Sequence, residues 1–511
     1  MPDQRSSSWE AKMKRRTSIS LIALLILVAA PQSGGLLPAV AGGDSPPAAS
    51  SIPNAGKPVP LTPSQRAWLA RAVRQPRQGW VYLHVEGEPR ACGFQHGYLL
   101  ASEIRESLGT MARVWEYDTG KDWPWLVAKA KAMFVPKIDA ETLAEIDGIA
   151  EGLAAAGITS SREELTAYNG YLELTDYWWP KQKEKEKQEP AGKAAHGARQ
   201  ACSAFIATGR MTADGGVVLA HNTMWGYVGA IWNVILDVSP AKGHHILMQA
   251  APGWIHSGTD FFITDAGLVG AETTIGGFKG FDERGIPEFV RMRRATQDAA
   301  TIDQWCAIMK KGNNGGYANA WLLGDVRSGE IARLELGLKH VGFEKTKDGC
   351  FLGANVAEDL KLLRFETDER ETDIRVSGVA RRVRWKQLMK AHAGTIDLAW
   401  AKAFEADHYD VYLEKDYPGN RSLCSHGDLD GQSFGSHPPF SPGGTLDAKV
   451  VDSRMAREMS FAARWGAACG TAFDADRFLD AHPQFDWMRG LLKSRPSQPW
   501  TEFHAAVLPK R

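Results

Sequence analysis

No charge of either sign is in excess in this chain. Lys+Arg and Asp+Glu each number 60 among 511 residues. Composition therefore argues against non-specific nucleic-acid binding, which needs a basic surface. Cysteine is scarce. The six residues Cys92, Cys202, Cys306, Cys350, Cys424 and Cys469 are too few and too scattered for a disulfide scaffold, and no C-x-x-C pair points to zinc. If one thiol is kept for chemistry, an odd number remains, so at least one more is expected unpaired. H-E-x-x-H, P-loop and G-x-G-x-x-G patterns are all missing, so no metal and no cofactor is expected. A long apolar run occurs once, from Ile19 to Ala30, behind the basic stretch around Lys14–Arg16 and ahead of a small-residue "AVA" ending at Ala41. That is the pattern of a signal peptide, with Arg15–Arg16 allowing the twin-arginine type. A single-span anchor is the alternative, for which the run is short. Export to the periplasm or outside the cell is the expectation.

The remaining text divides by composition. Residues 1–41 read as the signal peptide, and 42–62, rich in Pro, Ser and Gly, as a disordered tether. Residues 63–180 read as mostly helical: "QHGYLLASEIRESLGTMARVW" and "ETLAEIDGIAEGLAAAG" repeat apolar residues at helical spacing, the second ending on Gly157 as a C-cap. Residues 181–201, "KQKEKEKQEPAGKAAHGARQA", are charged or small and read as a solvated linker. From Cys202 to residue 511 strands dominate. "CSAFIATG" and "GVVLAHN" flank the turn "MTADGG". "GAIWNVILDVSP", "HHILMQA" and "DFFITDAGLVGAETTIGG" follow. A helical block, "PEFVRMRRATQDAATIDQWCAIMKKG", precedes a second hairpin set, "NAWLLGDVRSGEIARLELG" and "KHVGFEKTKDGCFLGAN". Two antiparallel sheets and flanking helices indicate a layered α+β fold.

Few motifs carry chemistry. "GQSFG" (Gly431–Gly435) fits G-x-S-x-G, but no apolar strand precedes it and prolines follow, so it reads as a loop. His244–His245 reads as structural, and the "NRS" at Asn420 fits a glycosylation sequon. Cys202 stands apart because it opens a strand immediately after a cleavable segment. A break after Ala201 would give Cys202 a free α-amine, with pKa ~7.7–8.0, beside its own thiol. Nucleophile and base would then share one residue. The alternative is a buried structural cysteine.

"QACSAFIATG…LAHNTMWGY", "PGWIHSGTDFFITDAGLVGAETTIGG", "GGYANAWLLGD" and "SHGDLDG…PGGTLDAKVVDS" together resemble the phospholipase B-like proteins. These are N-terminal-nucleophile hydrolases related to the penicillin acyltransferase and bile-salt hydrolase group. "GFQHGYLL" and "EIDGIAEGL" are similar to the family's helical pro-region. The resemblance implies a four-layer αββα fold, self-cleavage between Ala201 and Cys202, and two chains that stay associated. It also implies roles for single residues. His221 would steer the substrate carbonyl or the thiolate, and Asn319 would donate to an oxyanion. Thr274 would sit by the pocket, Trp225 would line it, and Arg381 would orient the nucleophile, with Arg382 and Arg384 competing for that role. His426 and Asp428 fit a C-terminal motif read as structural. The expected activity is hydrolysis of a linear amide or acyl ester through an acyl-thioester on Cys202. The substrate would be a small molecule or a lipid, the latter bringing the protein to a membrane surface. The 18 tryptophans suit an apolar acyl group or a core equally. The alternatives are a serine or metal hydrolase, an acyltransferase using an acceptor other than water, and a non-catalytic exported binding protein.

Overall fold

Strands of period two and glycine-marked turns build most of the chain after residue 202. The computed structural model describes residues 56–185, 202–258, 260–435 and 438–507. The signal peptide, most of the tether and the linker residues from 186 to Ala201 lie outside them.

The larger sheet has nine strands. They are β1 (Val73–Arg77), β2 (Trp80–Gly87), β5 (Val234–Pro240), β6 (Ile246–Ala250), β7 (Phe261–Thr264), β8 (Leu268–Thr274), β9 (Asn319–Asp325), β10 (Glu330–Leu336) and β11 (Val341–Thr346), in that spatial order. The smaller has six: β12 (Gly349–Gly353), β3 (Ser203–Thr208), β4 (Val218–Gly226), β15 (Gly443–Asp452), β16 (Ser460–Trp465) and β17 (Thr501–His504). A two-residue ribbon, β13 (Tyr409–Asp410) and β14 (Lys415–Asp416), stands apart. The edges of the larger sheet are protected. β1 is exposed throughout and carries Pro76, while β11 carries Glu344 and Lys345.

Alternation along each strand assigns the layers. In β3, Phe205 packs on Trp385 and Phe404 of two outer helices, Ser377–Ala391 and Leu398–Glu405. Ile206 turns the other way and meets Gly324 of β9. The far face of the larger sheet is covered by helices, with Phe262 of β7 stacked on Trp305 of helix Ile302–Lys310. The order is helix, sheet, sheet, helix: the αββα architecture expected from the resemblance.

Helices Pro89–Leu99 and Ala140–Ala155 pack at backbone contact. Each offers a G-x-x-x-G pair, Gly93/Gly97 against Gly148/Gly152. A Cβ on Gly97 would lie 2.2 Å from the Ile149 carbonyl oxygen, and one on Gly148 2.3 Å from that of Arg90. Gly157, at φ +86°, follows the C-cap of the second helix as expected.

Three expectations change. The segment read as mostly helical begins the larger sheet, because "GWVYLHVEG" alternates over Trp80, Tyr82 and His84 and pairs in parallel with β5. That sheet is therefore not wholly antiparallel. The helix Trp179–Lys185 also runs past residue 180 into the charged stretch. Finally, "KHVGFEKTKDGCFLGAN" is not a hairpin: β11 pairs with β10, whereas β12 crosses to β3 in the other sheet. Gly349 at φ +153° lies at that turn, where the chain leaves one layer for the next.

Candidate active site

Cys202 stands at the head of β3, buried at 2% exposure. Its sulfur, a ring nitrogen of His221 and a carboxylate oxygen of Asp260 all lie within 4.8 Å of one another. His221 arrives from β4, where it pairs with Ala204 of β3 on one side and Lys449 of β15 on the other. A register shift between Thr445 and Asp447 puts Asp447 opposite Thr223 and Lys449 opposite His221. The Lys449 ammonium donates to Asp447 and Thr223, each at 2.5 Å, and to Gln249. All four are buried, so this ion-paired network ties the two sheets together with its polar atoms satisfying one another.

Burial sets the protonation states. It pushes the Cys202 thiol up to about 12, the Asp260 charge adding to the effect while Lys449 and Arg381 oppose it. His221 is pushed well below its ordinary range by burial and then by Lys449, which leaves the imidazole neutral. Neither of its ring nitrogens has a hydrogen-bond partner among the described residues. Glu272 of β8 is fully buried, and its carboxyl is raised well above normal by burial and by Asp260 beside it. Two carboxyls held together in this way cannot both ionise, so Glu272 keeps its proton. Asp260 is also raised by burial, against the hydrogen bond that Tyr317 donates to it at 2.7 Å. Asp260 and Tyr317 both adopt positive φ, 70° and 57°, a strained backbone of the kind found at functional sites.

Arg381 is the arginine that reaches Cys202. Its guanidinium is fully buried and donates to the Cys202 carbonyl at 2.7 Å, to Asn355 Oδ1 at 2.7 Å and to Ser377 Oγ at 3.1 Å. Arg382 instead donates to the Glu371 carbonyl and Arg384 pairs with Asp407. Asn355 passes the connection on, donating to the Thr274 carbonyl at 2.7 Å. Thr274 thus joins the site through its main chain. It lies opposite Asn319 in the β8–β9 register. Asn319 is completely buried, with neither amide atom hydrogen-bonded among the described residues, and lies two positions after Tyr317.

Trp225 follows Met224 on β4. It stacks on Trp232 at 4.3 Å, and Trp232 packs on Trp254 at 5.0 Å. It belongs to a buried aromatic column. Ala201 lies outside the described residues. The G-x-S-x-G stretch is a loop whose Ser433 accepts from Asn420, and Asn420 is only 8% exposed. Asp260, Glu272, Tyr317, Asn355 and Lys449 were not anticipated. The available signal was "TLDAKVVD", which places Asp447 and Lys449 on one face of a strand that is otherwise apolar.

Fold and site together define a four-layer αββα protein with a buried cysteine heading an inner strand of the smaller sheet, and a neutral histidine and a carboxyl pair around its sulfur. The phospholipase B family model matches residues 129–335, so the similarity to that family read from the motifs holds. A Homo sapiens protein named putative phospholipase B-like 2 is 32% identical over 145 residues, 25% of this chain and 24% of that one. Its Bos taurus counterpart is 30% identical over 144 residues with the same shares. An uncharacterized protein of Archaeoglobus fulgidus is 26% identical over 201 residues, 37% of this chain and 32% of that one. The matches thus span between a quarter and a third of those relatives. Among solved structures, a penicillin V acylase from Agrobacterium tumefaciens is 13% identical with a TM-score of 0.32, over 52% of this chain and 83% of that one. A mutant of the conjugated bile acid hydrolase from Clostridium perfringens is 10% identical with a TM-score of 0.31, over 52% and 89%.

Proposed function

We propose that this protein is an acyl hydrolase, cleaving a linear amide or ester through a thioester on Cys202, and that it matures by breaking its own chain before that residue. The observation that carries the reading is the convergence of Cys202, His221 and Asp260 within 4.8 Å, with Arg381 holding the Cys202 carbonyl at 2.7 Å.

The protonation states explain why a chain break is useful. A thiol at about 12 is a poor nucleophile at neutral pH, and a histidine pushed well below its ordinary range is too weak a base to relieve it. An α-amine at ~8 is a better acceptor: moving the proton to it costs about 5 kcal/mol before the attraction between ammonium and thiolate is counted. In maturation, the Cys202 sulfur attacks the Ala201 carbonyl carbon. The C–N bond breaks, a C–S bond forms and the amine takes the thiol proton. Water then hydrolyses this thioester. In turnover the same sulfur attacks the substrate acyl carbon, and the α-ammonium returns the proton to the leaving amine or alcohol. Water resolves the acyl-thioester. Asn319, its amide otherwise unpaired, supplies a donor for the oxyanion. Neutral His221 orients the sulfur or the carbonyl. The two chains remain together because β2 of the smaller chain pairs with β5 of the larger from Val81 to Gly87, and export would bring the enzyme to its substrate outside the cytoplasm.

The test uses Cys202 variants. Cys202→Ala should stay one chain without activity, and Cys202→Ser should process slowly or not at all. If Cys202→Ala gives the same two fragments and full turnover, the proposal is wrong. An uncut wild-type chain whose Cys202 resists alkylating probes would instead favour a binding protein.

A further inference from the structure

Far along the chain from Cys202, four side chains that the activity does not use converge on one point. His408, Cys424, His426 and Cys469 each offer one ligand atom, all within 4.8 Å of one another. His426 Nε2 is the hub, lying 3.2 Å from His408 Nε2, 3.4 Å from the Cys424 sulfur and 3.4 Å from the Cys469 sulfur. Hydrogen bonding alone does not account for this arrangement. One ring nitrogen carries a single lone pair or a single proton, so it cannot satisfy three partners, and here two nitrogens face each other. A cation at the centre would use a lone pair from every member.

We propose that these residues bind one zinc ion as a closed structural site. A tetrahedral zinc at ~2.1 Å from nitrogen and ~2.3 Å from sulfur gives N···N edges of about 3.4 Å and N···S edges of about 3.6 Å. The three contacts above lie within a few tenths of an ångström of those edges. Two thiolates cancel the ion's charge, which permits the burial of Cys424 and His426 at 0% and 2% exposure. All six cysteines of the protein are unbonded, so the thiols are free to ligate. With four protein ligands no position is left for water, so the site is structural and not catalytic. The cluster of His84, Asp237 and His245 does not share this character, since it offers only three ligands and Asp237 Oδ2 already accepts from Tyr82 and the Ala506 N–H.

The site has mechanical leverage. It joins the loop after helix Leu398–Glu405, the segment before Gly427–Leu429 and the turn after β16. Leu423, next to Cys424, accepts from Asn222 Nδ2 at 2.9 Å, and Asn222 is the neighbour of His221 on β4. The ion would hold the support beneath the candidate active site. These ligands fall outside every familiar zinc spacing, so their positions in the sequence do not announce a metal.

The whole protein, purified without added metal, is assayed by elemental mass spectrometry and by intact mass after native alkylation. One zinc per chain, resistant to a weak chelator, is expected. Cys424→Ser and Cys469→Ser should each lower zinc content by about tenfold or more. Should those variants not fold, cobalt exchanged into the wild type gives an independent reading. Tetrahedral d–d bands with a thiolate charge-transfer band support the site, and a weak octahedral spectrum overturns it. A mass two hydrogens light at Cys424 and Cys469 without zinc, or both thiols alkylating freely in a metal-free native protein, also overturns it.

Discussion

Arg381→Met separates the positioning of Cys202 from the stability of the fold. Burial pushes this guanidinium down to about 10 from an ordinary 12.5, so keeping the charge inside costs the folded state about 3 kcal/mol. Against that stand two charge-assisted hydrogen bonds of 2.7 Å, to the Cys202 carbonyl and Asn355, contributing about 1.5–3 kcal/mol each. The bond to Ser377 adds about 1 kcal/mol. The balance is a net contribution of about 1–4 kcal/mol, small for so buried a side chain, and methionine recovers part of it by filling the space. Urea unfolding should therefore show a modest loss. Maturation and kcat should fall about 100-fold or more, because an unclamped carbonyl lets the thiol drift from its attack geometry. KM should change little. Arg381→Lys keeps the charge but not the fork, so it should restore part of kcat. A variant that matures and turns over normally refutes the positioning role. A loss of stability beyond about 6 kcal/mol refutes the charge-burial reasoning.

The other predictions draw on separate parts of the molecule. Gly97→Ala would drive a Cβ to 2.2 Å from the Ile149 carbonyl oxygen. Overpacking of about 3 kcal/mol or more, less about 1 kcal/mol of helix propensity, should appear as a net loss of about 2 kcal/mol in denaturant unfolding. Buried His96, which accepts from the Gly253 N–H at 2.9 Å, is pushed down to about 4. It is neutral when folded and binds a proton when unfolded below pH ~6.5. Its contribution is therefore complete above that pH and is lost as pH falls toward 4, by about 3 kcal/mol in all. His96→Gln should flatten that part of the stability–pH curve relative to wild type. Asn319→Ala should lower kcat by about 10²–10³-fold with folding intact, as its amide makes no hydrogen bond among the described residues. An unchanged kcat removes it from the oxyanion site.

The sequence was most informative where period and punctuation agree. β3 and β4 around "MTADGG", β7 and β8 around "TDAG", and the helix closed by Gly157 were all legible, since each is specified by its own residues. β1 and β2 were not, because one amphipathic strand is lost among long helical repeats until its distant partner β5 is known. The β11–β12 turn has the chemistry of a hairpin, yet β11 is largely exposed and β12 half-buried, and they serve different sheets. In the site, Cys202 and His221 could be named from motifs, and the structure brings them together. The carboxyl pair Asp260 and Glu272, the Lys449 network and the Asn355 link could not. Those contacts join strands remote in sequence, and only packing of the two sheets creates the burial that shifts their protonation.

The mass of the mature polypeptides tests the central claim most directly. Purified wild-type protein, denatured and resolved, should yield two chains, the larger beginning Cys202-Ser203-Ala204-Phe205 and carrying a free α-amine. An active protein that remains one unbroken chain, or whose larger fragment starts at any other residue, contradicts the account.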